Sequence, residues 1–503
     1  MSAPGVQTGQ EAAEATRRGR LWVLAALLLL LAIGAALRLY RIERESAWYD
    51  EVITVSGIGA ESLRGFFEHW RYTNWNAVPV YYTIQYFWGR HVCSSILGFR
   101  ALSVLFSLLT VPVIYLLGRH LFGRRAGLVA ALCFLLSGVH IYQAQEVRNY
   151  SLTTLAAALC AYSFVRLLEK PAPSRYFWNA FANVFLVWTH LFGCYLLVAA
   201  GCTLLLFRLR RFKQTAAWFA LNLALMAPSL LWITTFEPIR YYEPPPPRLW
   251  MLVNNALTDV WSPTLVFGIP PGYEWQVRPT AWTQFFAQSN GYVDNALLAV
   301  FLAAAAFAAG TMLRRRSAPA FAPDAAPSRN EAALLAFLLC WLVLPGVILF
   351  ALAWTWRTDI FAAKYTTYSS LAAYLLAGGA VERLPGRTLR VAAVTLLAVL
   401  FAHRYGLTLT HPQRPDWYAA TDAIKADYRD GDPLVIYPDW QAQVLEYNMR
   451  PHAVRARQTG DLYHVCACAD AALAQHERVW VVWVGGFGNV DFAERVGGYL
   501  MKR

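Results

Sequence analysis

Long apolar stretches separated by short polar ones dominate the chain, and residues 21–37 are a clear example. Each stretch is close to the roughly 20 residues that an α-helix needs to cross a bilayer. A soluble protein of 503 residues would not need so many continuous apolar segments. The pattern therefore predicts a mainly α-helical, polytopic membrane protein. Eleven spans are predicted, at 21–39, 98–118, 126–143, 151–166, 176–189, 191–207, 215–236, 295–313, 332–353, 365–381 and 389–407.

Basic residues gather in alternate gaps between these spans, at 119–125, 166–175, 208–213, 314–316 and 383–390. Positively charged loops remain on the cytoplasmic side of a membrane. The chain is therefore predicted to lie in the inner (plasma) membrane with its N-terminus in the cytoplasm and its other gaps outside. Both flanks of 176–207 are basic, so this stretch is predicted to be a hairpin of two short spans.

The net charge of +13 is spread over these clusters and forms no continuous basic face with interleaved aromatic residues. Nucleic-acid binding is therefore not expected. Residues 78–92 are apolar but too short to span, and counting them as a span would move the 119–125 cluster outside. We predict that they form an interfacial helix on the outer surface.

Both ends of the chain are polar. Residues 1–20 are predicted to be a disordered cytoplasmic tail, and 21–407 the membrane domain. Residues 408–503 hold 10 basic and 12 acidic residues, which suits a soluble segment outside the membrane. Helical spacing at 417–428, a helix near 441–447 and strands at 433–437 and 479–484 predict a small α/β domain there. Its Cys466 and Cys468 are interpreted as incidental, with a metal or redox role less favoured.

Two outer loops carry charged groups next to the membrane. Asp50 and Glu51 follow the first span by about ten residues, where solvated loop charges would be the simplest interpretation of such a pair alone. Glu146 and Arg148 lie in a very short loop between two spans, so they sit at the membrane boundary. Charges at that depth are costly and often functional, although a structural Glu–Arg ion pair is an alternative.

Three further groups share the predicted outer side. His190 lies at the tip of the short hairpin, and Lys364 with Tyr365 opens the tenth span. A structural histidine and a lysine anchored at a helix end explain these positions equally well. The long aromatic loop 237–294 is either a lid over a binding site or a passive interfacial cap.

This set of groups fits a lipid-phosphate sugar donor. A phosphate leaves without being protonated if cations neutralise it, and an acceptor hydroxyl needs a base. Asp50 is the predicted base, while Arg148 and Lys364, with Tyr365, would hold the phosphate, and direct displacement would invert the anomeric carbon. Glu51 and Glu146 would assist the base, or carboxylates such as Asp50 and Glu146 would bind Mg²⁺ or Mn²⁺. The sequence does not decide whether a metal is used.

At these residues the chain resembles the GT-C glycosyltransferases, most closely the bacterial relatives of protein O-mannosyltransferases and of lipid A aminoarabinose transferases. The resemblance covers roughly the first 210 residues, and the remainder is similar only in architecture. The similar stretches are Ala47-Trp48-Tyr49-Asp50-Glu51, Ala77-Val78-Pro79-Val80-Tyr81-Tyr82, Arg100-Ala101-Leu102-Ser103 and a segment from Leu121-Phe122-Gly123 to Gln145-Glu146-Val147-Arg148-Asn149-Tyr150-Ser151-Leu152.

The resemblance implies that Asp50 is the base, that Glu146 and Arg148 are the functional residues of the second loop, and that the donor is a polyprenyl-phosphate sugar. Tyr81, Tyr82, Tyr150 and His190 become candidates for substrate binding. This sequence has Asn76-Ala77-Val78-Pro79 where many relatives have a His-Pro-Pro segment, so the substrate contact of that histidine has no equivalent here.

A transporter or flippase of lipid-linked glycans, without covalent chemistry, is the main alternative. Transporters carry polar or interrupted segments near the bilayer midplane, often in internal repeats. Here no repeat is evident and the charged groups gather at one boundary, which favours an enzyme. A ligase of whole glycans would use similar groups. The sugar, and whether the acceptor is a lipid, a glycan or a protein, are left open by the sequence.

Overall fold

This computed structural model describes residues 4–73, 78–208, 211–234, 296–297, 299–307, 310–311, 329–356, 363–410, 414–452, 454–458 and 462–484. The predicted loop 237–294 lies outside these residues, as do Asn76 and Ala77. The helices before the C-terminal segment are α1 (Pro4–Leu39), α2 (Tyr49–Ser56), α3 (Leu63–Thr73), α4 (Pro79–His91), α5 (Ile96–Phe122), α6 (Arg124–Leu136), α7 (Gly138–Ala144), α8 (Tyr150–Glu169), α9 (Pro173–Thr189), α10 (Cys194–Arg208), α11 (Phe212–Thr234), α12 (Arg329–Trp356), α13 (Ser370–Arg383) and α14 (Arg387–Thr410).

Several helices are suited to a membrane, as the sequence predicted. Within the described residues, 5 are long and apolar enough to cross one, at Arg17–Leu39, Ile96–Phe122, Tyr150–Glu169, Leu191–Arg208 and Glu331–Trp356. Helices α6 and α7 form a further span if the pair, bent by 62°, is counted as one. The remaining predicted spans fall on shorter or more polar helices, or run beyond the described residues. The multi-pass helical architecture is confirmed.

Three predicted details can be compared with the helix boundaries. The interfacial segment 78–92 is helix α4, whose 13 residues are too few to span. The predicted hairpin is consistent with the end of α9 at Thr189, where His190 takes an extended conformation before α10. The N-terminus differs from the prediction, because α1 begins at Pro4 inside the segment expected to be disordered. Residues 7–20 are rich in Gln, Glu, Ala and Arg, which favour helix and continue the apolar span into the polar tail.

A buried arginine holds the bend between α6 and α7. Arg38, near the end of α1, donates to the backbone oxygens of Phe134 at 3.4 Å and Leu135 at 3.2 Å. Its Nε also donates to the Ser107 hydroxyl at 2.8 Å. The two carbonyls belong to the last turn of α6, where helical partners run out. Arg38 therefore satisfies the end of α6 and allows α7 to turn away.

Helix α7 is tied in turn to a segment more than 200 residues away in the sequence. His140 Nε2 lies 2.8 Å from the Ser370 hydroxyl, and Gln143 Nε2 donates to the Thr367 hydroxyl at 3.0 Å. The loop after α7 and the segment before α13 are therefore held side by side. This contact brings Arg148 close to Lys364.

The C-terminal segment is the α/β domain that the sequence predicted. It contains α15 (Trp417–Lys425), β1 (Leu434–Tyr437), α16 (Ala442–Asn448), β2 (Ala456–Gln458), α17 (Leu462–Leu473) and β3 (Trp480–Trp483). The sheet has the order β2-β1-β3 with all strands parallel, and the central β1 is apolar and largely buried. The short β2 and helix α17 were not predicted. Cys466 and Cys468 both lie on α17 and are free thiols.

The core of this domain also contains residues from the beginning of the chain. Ala47 and Val52 are 2% and 4% exposed and pack in one cluster with Trp417, Ile424 and Leu434, among others. The predicted boundary at residue 408 therefore separates the chain in sequence but not in packing. Residues 46–52, around Asp50, pack against the C-terminal α/β domain.

Candidate active site

Two cationic side chains from distant parts of the chain meet at one carboxylate, that of Asp50. Asp50 lies in the first turn of α2, Arg148 in the loop between α7 and α8, and Lys364 in a short helical turn before α13. Lys364 Nζ is 3.3 Å from Asp50 Oδ2, and Arg148 Nε is 3.8 Å from the same oxygen. The structure thus brings together the predicted base and both predicted phosphate-binding cations.

The two cations decide the ionisation of Asp50. Burial alone would raise the pKa of this carboxyl, but Arg148 and Lys364 lower the pKa below its ordinary value. Asp50 is therefore a carboxylate at neutral pH. Its side chain keeps 16% exposure, so the carboxylate is covered but not sealed from an incoming group.

Arg148 and Lys364 are held by weak contacts besides their pairing with Asp50. Arg148 Nη1 lies 3.4 Å from the Thr54 hydroxyl, and the Lys364 ammonium lies 5.6 Å from the centre of the Tyr365 ring. Burial alone would lower the pKa of Lys364, but Asp50 raises it well above the usual value. Two cations against one carboxylate leave an excess of positive charge, which favours an anionic ligand.

Glu51 has surroundings that differ from those of its neighbour Asp50. It is 0% exposed, and Arg100 binds it through two bonds, Nε to Oε1 at 2.9 Å and Nη2 to Oε2 at 2.7 Å. Arg414 Nη1 donates to Oε2 at 3.2 Å, and the Val147 backbone N–H donates to Oε1 at 3.0 Å. Both carboxylate oxygens are thus occupied, which leaves Glu51 no free position for a proton or a metal. The predicted role as an assisting base or ligand does not fit this geometry.

Glu146 also lies at the site, but its side chain makes no such ion pair with the residues that the structure describes. Glu146 is only 2% exposed, and its backbone oxygen accepts from the Ser103 hydroxyl at 2.7 Å. Burial raises the pKa of Glu146 to about 7, and the nearby negative charge of Asp50 acts in the same direction. Glu146 therefore holds its proton over much of the neutral range, unlike Asp50.

The remaining predicted substrate residues form an aromatic lining. The ring of His190 lies 6.0 Å from Tyr150 and 5.7 Å from Tyr365, measured between ring centres. His190 Nδ1 accepts from the Phe192 backbone N–H at 3.2 Å, and burial lowers its pKa to about 3, so the ring is neutral. The Tyr150 hydroxyl is buried and has no hydrogen-bond partner among the described residues.

Tyr81 and Tyr82 on α4 complete the predicted set. Both are almost fully buried, and their rings make a T-shaped contact at 5.3 Å. Both side chains belong to one buried cluster, and both lie close enough to Arg148 to feel its charge. Asp50 also acts on Tyr82, and Glu146 acts on Tyr81.

The side chains around Asp50 do not resemble a site for a divalent metal. Within the described ranges, no group of three or more His, Cys, Asp or Glu residues is placed to hold a metal ion. Asp50 already faces two cations, and Glu51 is occupied by two arginines. Among the described residues, the predicted metal candidates Asp50 and Glu146 are not joined by a third His, Cys, Asp or Glu in a group of the kind that holds Mg²⁺ or Mn²⁺.

Two residues for which the sequence predicted no role, Arg100 and Arg414, contact the site through Glu51. Arg100 lies in α5, within a stretch that carries the family resemblance, and is 2% exposed. Arg414 lies in the connection before α15 and is 8% exposed. The only sequence signal for Arg100 was its place in a similar stretch. Arg414 gave none, because 363 positions separate it from Glu51.

The fold can be compared with solved structures. ArnT from Cupriavidus metallidurans bound to undecaprenyl phosphate aligns over 92% of this chain and 89% of its own, with a TM-score of 0.53 and 12% identity. The oligosaccharyltransferase AglB from Archaeoglobus fulgidus, in complex with an inhibitory peptide and a dolichol-phosphate, aligns over 96% of this chain and 69% of its own, with a TM-score of 0.51 and 13% identity. The chain therefore has the fold of the GT-C membrane glycosyltransferases.

Sequence comparison gives a narrower likeness. Residues 79–232 match the family described as dolichyl-phosphate-mannose-protein mannosyltransferase. This range includes Glu146, Arg148 and His190 but begins after Asp50. A search of curated protein sequences gave no match.

Proposed function

We propose that this protein is a membrane glycosyltransferase that moves a sugar from a polyprenyl-phosphate donor to a hydroxyl group of an acceptor outside the cytoplasm. The observation that carries the proposal is the contact of Asp50 with Arg148 and Lys364. An ionised carboxylate with two adjacent cations offers a base and a phosphate site within a few ångströms. The related folds of ArnT and AglB have been solved with undecaprenyl phosphate and a dolichol-phosphate.

The donor phosphate would replace Asp50 as the partner of the cations. Arg148 and Lys364 would pair with its oxygens, and the buried Tyr150 hydroxyl, which has no partner among the described residues, would donate to one of them. The rings of Tyr365 and His190 would pack beside it. Once the cations are engaged by phosphate, the proton affinity of Asp50 rises, because the charges that lowered its pKa are shared.

The reaction then needs one base and one neutralised leaving group. Asp50 accepts the proton of the acceptor hydroxyl while that oxygen attacks the anomeric carbon of the sugar. The bond between that carbon and the phosphate oxygen breaks, and the electron pair leaves with the polyprenyl phosphate. Arg148 and Lys364 stabilise the charge that develops there. Attack from the side opposite to the phosphate inverts the anomeric configuration.

Asp50 suits the role of base better than either neighbouring glutamate. Glu51 is fully paired with arginines and has no exposure. Glu146 is more deeply buried than Asp50, and its raised pKa keeps much of it protonated near neutral pH. Asp50 is both ionised and partly exposed in the absence of donor.

The substitution Asp50→Asn tests this proposal. Proteoliposomes would receive polyprenyl phosphates that carry a radiolabelled hexose or pentose, together with an envelope extract from a deletion strain as acceptor. We expect the variant to lose transfer by a factor on the order of 100 to 10,000, the usual contribution of a general base. The exposed Asp422→Asn in α15 is the matched control and should retain the wild-type rate. Near-normal transfer by Asp50→Asn would remove Asp50 as the base.

The same assay separates an enzyme from a transporter. A transporter would move labelled lipid across the bilayer without forming a labelled acceptor. A glycosyltransferase would form a labelled acceptor in the same proteoliposomes. Mass spectrometry of envelope glycolipids and glycoproteins from the deletion strain would then identify the sugar and the class of acceptor from the modification that is missing.

A further inference from the structure

Glu51 connects the two segments that carry the proposed catalytic groups. Its Oε1 accepts from the backbone N–H of Val147, and Val147 directly precedes Arg148. Glu51 itself directly follows Asp50. One carboxylate thus fixes the spacing between the segment of the proposed base and the segment of the proposed phosphate-binding arginine. Any shift of Glu51 would change the position of Asp50 relative to Arg148.

Arg414 joins the same carboxylate to the C-terminal segment. Besides its bond to Glu51, its Nε lies 3.5 Å from Glu45 Oε2 and its Nη2 lies 3.4 Å from the Gln145 backbone oxygen. The guanidinium also lies 4.9 Å from the ring centre of Tyr142. Arg414 therefore contacts the chain before α2 and the end of α7 at once.

The C-terminal domain also forms hydrogen bonds with the chain just before Asp50, next to Arg414. The Ser46 hydroxyl donates to the Pro415 backbone oxygen at 3.2 Å, and it accepts from the Trp417 backbone N–H at 3.0 Å. Asn448 Nδ2 of α16 donates to the Ala47 backbone oxygen at 3.0 Å. These contacts begin at the buried Ser46 and continue towards α2.

Packing contacts also join α2 to the C-terminal domain. The rings of Tyr49 and Trp440 meet edge to face at 4.7 Å, and Val52 packs in the core of the C-terminal domain. Helix α2 has only eight residues, and so short a helix is not stable by itself in water. The position of α2 must therefore be set by the residues that pack against it, and many of these belong to the C-terminal domain.

We infer that Arg414 is a positioning residue, which acts through Glu51 to hold Asp50 opposite Arg148. Sugar transfer therefore depends on the contact between the C-terminal domain and α2. Arg414 touches no reacting group itself. This inference rests on the proposed function for its effect on catalysis. The geometric part, that Arg414 orders α2, stands apart from that function.

The geometric part is tested by hydrogen–deuterium exchange on the full-length protein in detergent. We expect Arg414→Met to speed exchange in α2 and at the Val147 amide, while α5 and α8 keep their protection. Arg478→Met is the matched control, because Arg478 also lies in the C-terminal domain but away from Glu51. It forms ion pairs with Asp427 at 3.0 Å and with Asp432 at 2.7 Å. Unchanged exchange in α2 in the Arg414 variant, or equal loosening of α2 in both variants, would overturn the inference.

The catalytic part is tested by transfer kinetics on the same proteins. We expect Arg414→Met to lower kcat by about 100-fold, the effect of misplacing a reacting group by about 1 Å, with a much smaller change in the donor KM. Arg478→Met should leave both constants as in the wild type. A loss of donor binding with kcat preserved would contradict a positioning role.

A conservative variant covers the case in which Arg414→Met does not fold. Arg414→Lys keeps the charge beside Glu51 but cannot contact Glu45, Glu51 and Gln145 together. We expect it to recover part of the kcat and most of the α2 protection, and a variant as impaired as Arg414→Met in both measurements would contradict the inference. If exchange responds as expected but the wild type performs no transfer, the proposed function fails and the positioning contact remains.

Discussion

Neighbouring acidic residues in α2 differ because their partners differ. Asp50 meets two cations that a phosphate can compete for, and it keeps some exposure. Glu51 is sealed between Arg100 and Arg414, where removal of one partner from a buried ion pair costs about 3–5 kcal/mol. At the scale of single residues, the contacts of Asp50 leave room for another ligand to take its place, whereas Glu51 is held permanently by its two arginines.

Glu146 gives a prediction about pH. Burial raises its pKa from the ordinary value of 4.5 to about 7 in the folded protein. Below pH 4.5 the carboxyl of Glu146 is protonated in both the folded and the unfolded chain. As the pH rises to about 7, only the unfolded chain ionises, so the wild type loses stability in this window, by about 3 kcal/mol in total.

Thermal unfolding at pH 5 and pH 8 measures this effect. We expect Tm of the wild type to fall more between the two values than that of Glu146→Gln, because glutamine has no charge to bury. Glu68→Gln is the control, since Glu68 lies on α3 with a side chain that is 60% exposed. Equal falls in Tm for the wild type and Glu146→Gln would show that Glu146 titrates normally.

The meeting of the charged residues could be predicted only where the predicted side of the membrane or a motif pointed to them. Asp50, Arg148 and Lys364 all fell in loops that the charge pattern placed on one side, so their meeting could be anticipated. The burial of Glu51 could not, because its partner Arg414 comes from a separate domain. A contact of that kind depends on packing between distant segments, which local sequence patterns do not encode.

At the scale of elements, close packing of small residues holds the helices that frame the site. A Cβ added to Gly118 of α5 would lie 2.8 Å from the Cα of Gly127 in α6. One added to Gly378 of α13 would overlap the backbone oxygen of Ala126. Membrane helices approach this closely only where side chains are absent or small. Helix α6 is therefore fixed between α5 and α13.

Gly378→Ala should disrupt this packing. The added methyl group would meet backbone rather than a movable side chain, so we expect a destabilisation of about 1–3 kcal/mol. Gly346→Ala in α12 is the matched control, because a Cβ there meets nothing within 4 Å. That change should be neutral or stabilise by about 0.5–1 kcal/mol through helix propensity. Thermal unfolding in detergent compares them, and equal stability of the two variants would refute the close approach.

Elements were more predictable than their ends and their joints. The long apolar runs predicted the membrane helices, and two short apolar runs predicted β1 and β3. The three-residue β2 was too short to give a pattern. The bend after α6 could not be foreseen either, because it depends on Arg38 of α1 binding the free carbonyls of another helix.

At the scale of the whole molecule, the site lies where the membrane helices meet the C-terminal α/β domain. Helix α7 and the segment before α13 bring Arg148 and Lys364 together from one side. The C-terminal domain contacts residues 46–52 from the other side, and Ala47 and Val52 pack in its core. The proposed catalytic residues all precede the C-terminal domain in the sequence, but the position of Asp50 depends on contacts with that domain.

The central claim is that Asp50 occupies the place of a donor phosphate until the donor arrives. The most direct test is the Kd of undecaprenyl phosphate for the purified protein and for Asp50→Asn, with Arg148→Ala and Asp422→Asn as comparisons. We expect Asp50→Asn to bind more tightly by about tenfold, equivalent to about 1.4 kcal/mol of lost competition, while Arg148→Ala binds more weakly and Asp422→Asn is unchanged. Equal or weaker binding by Asp50→Asn would contradict the claim.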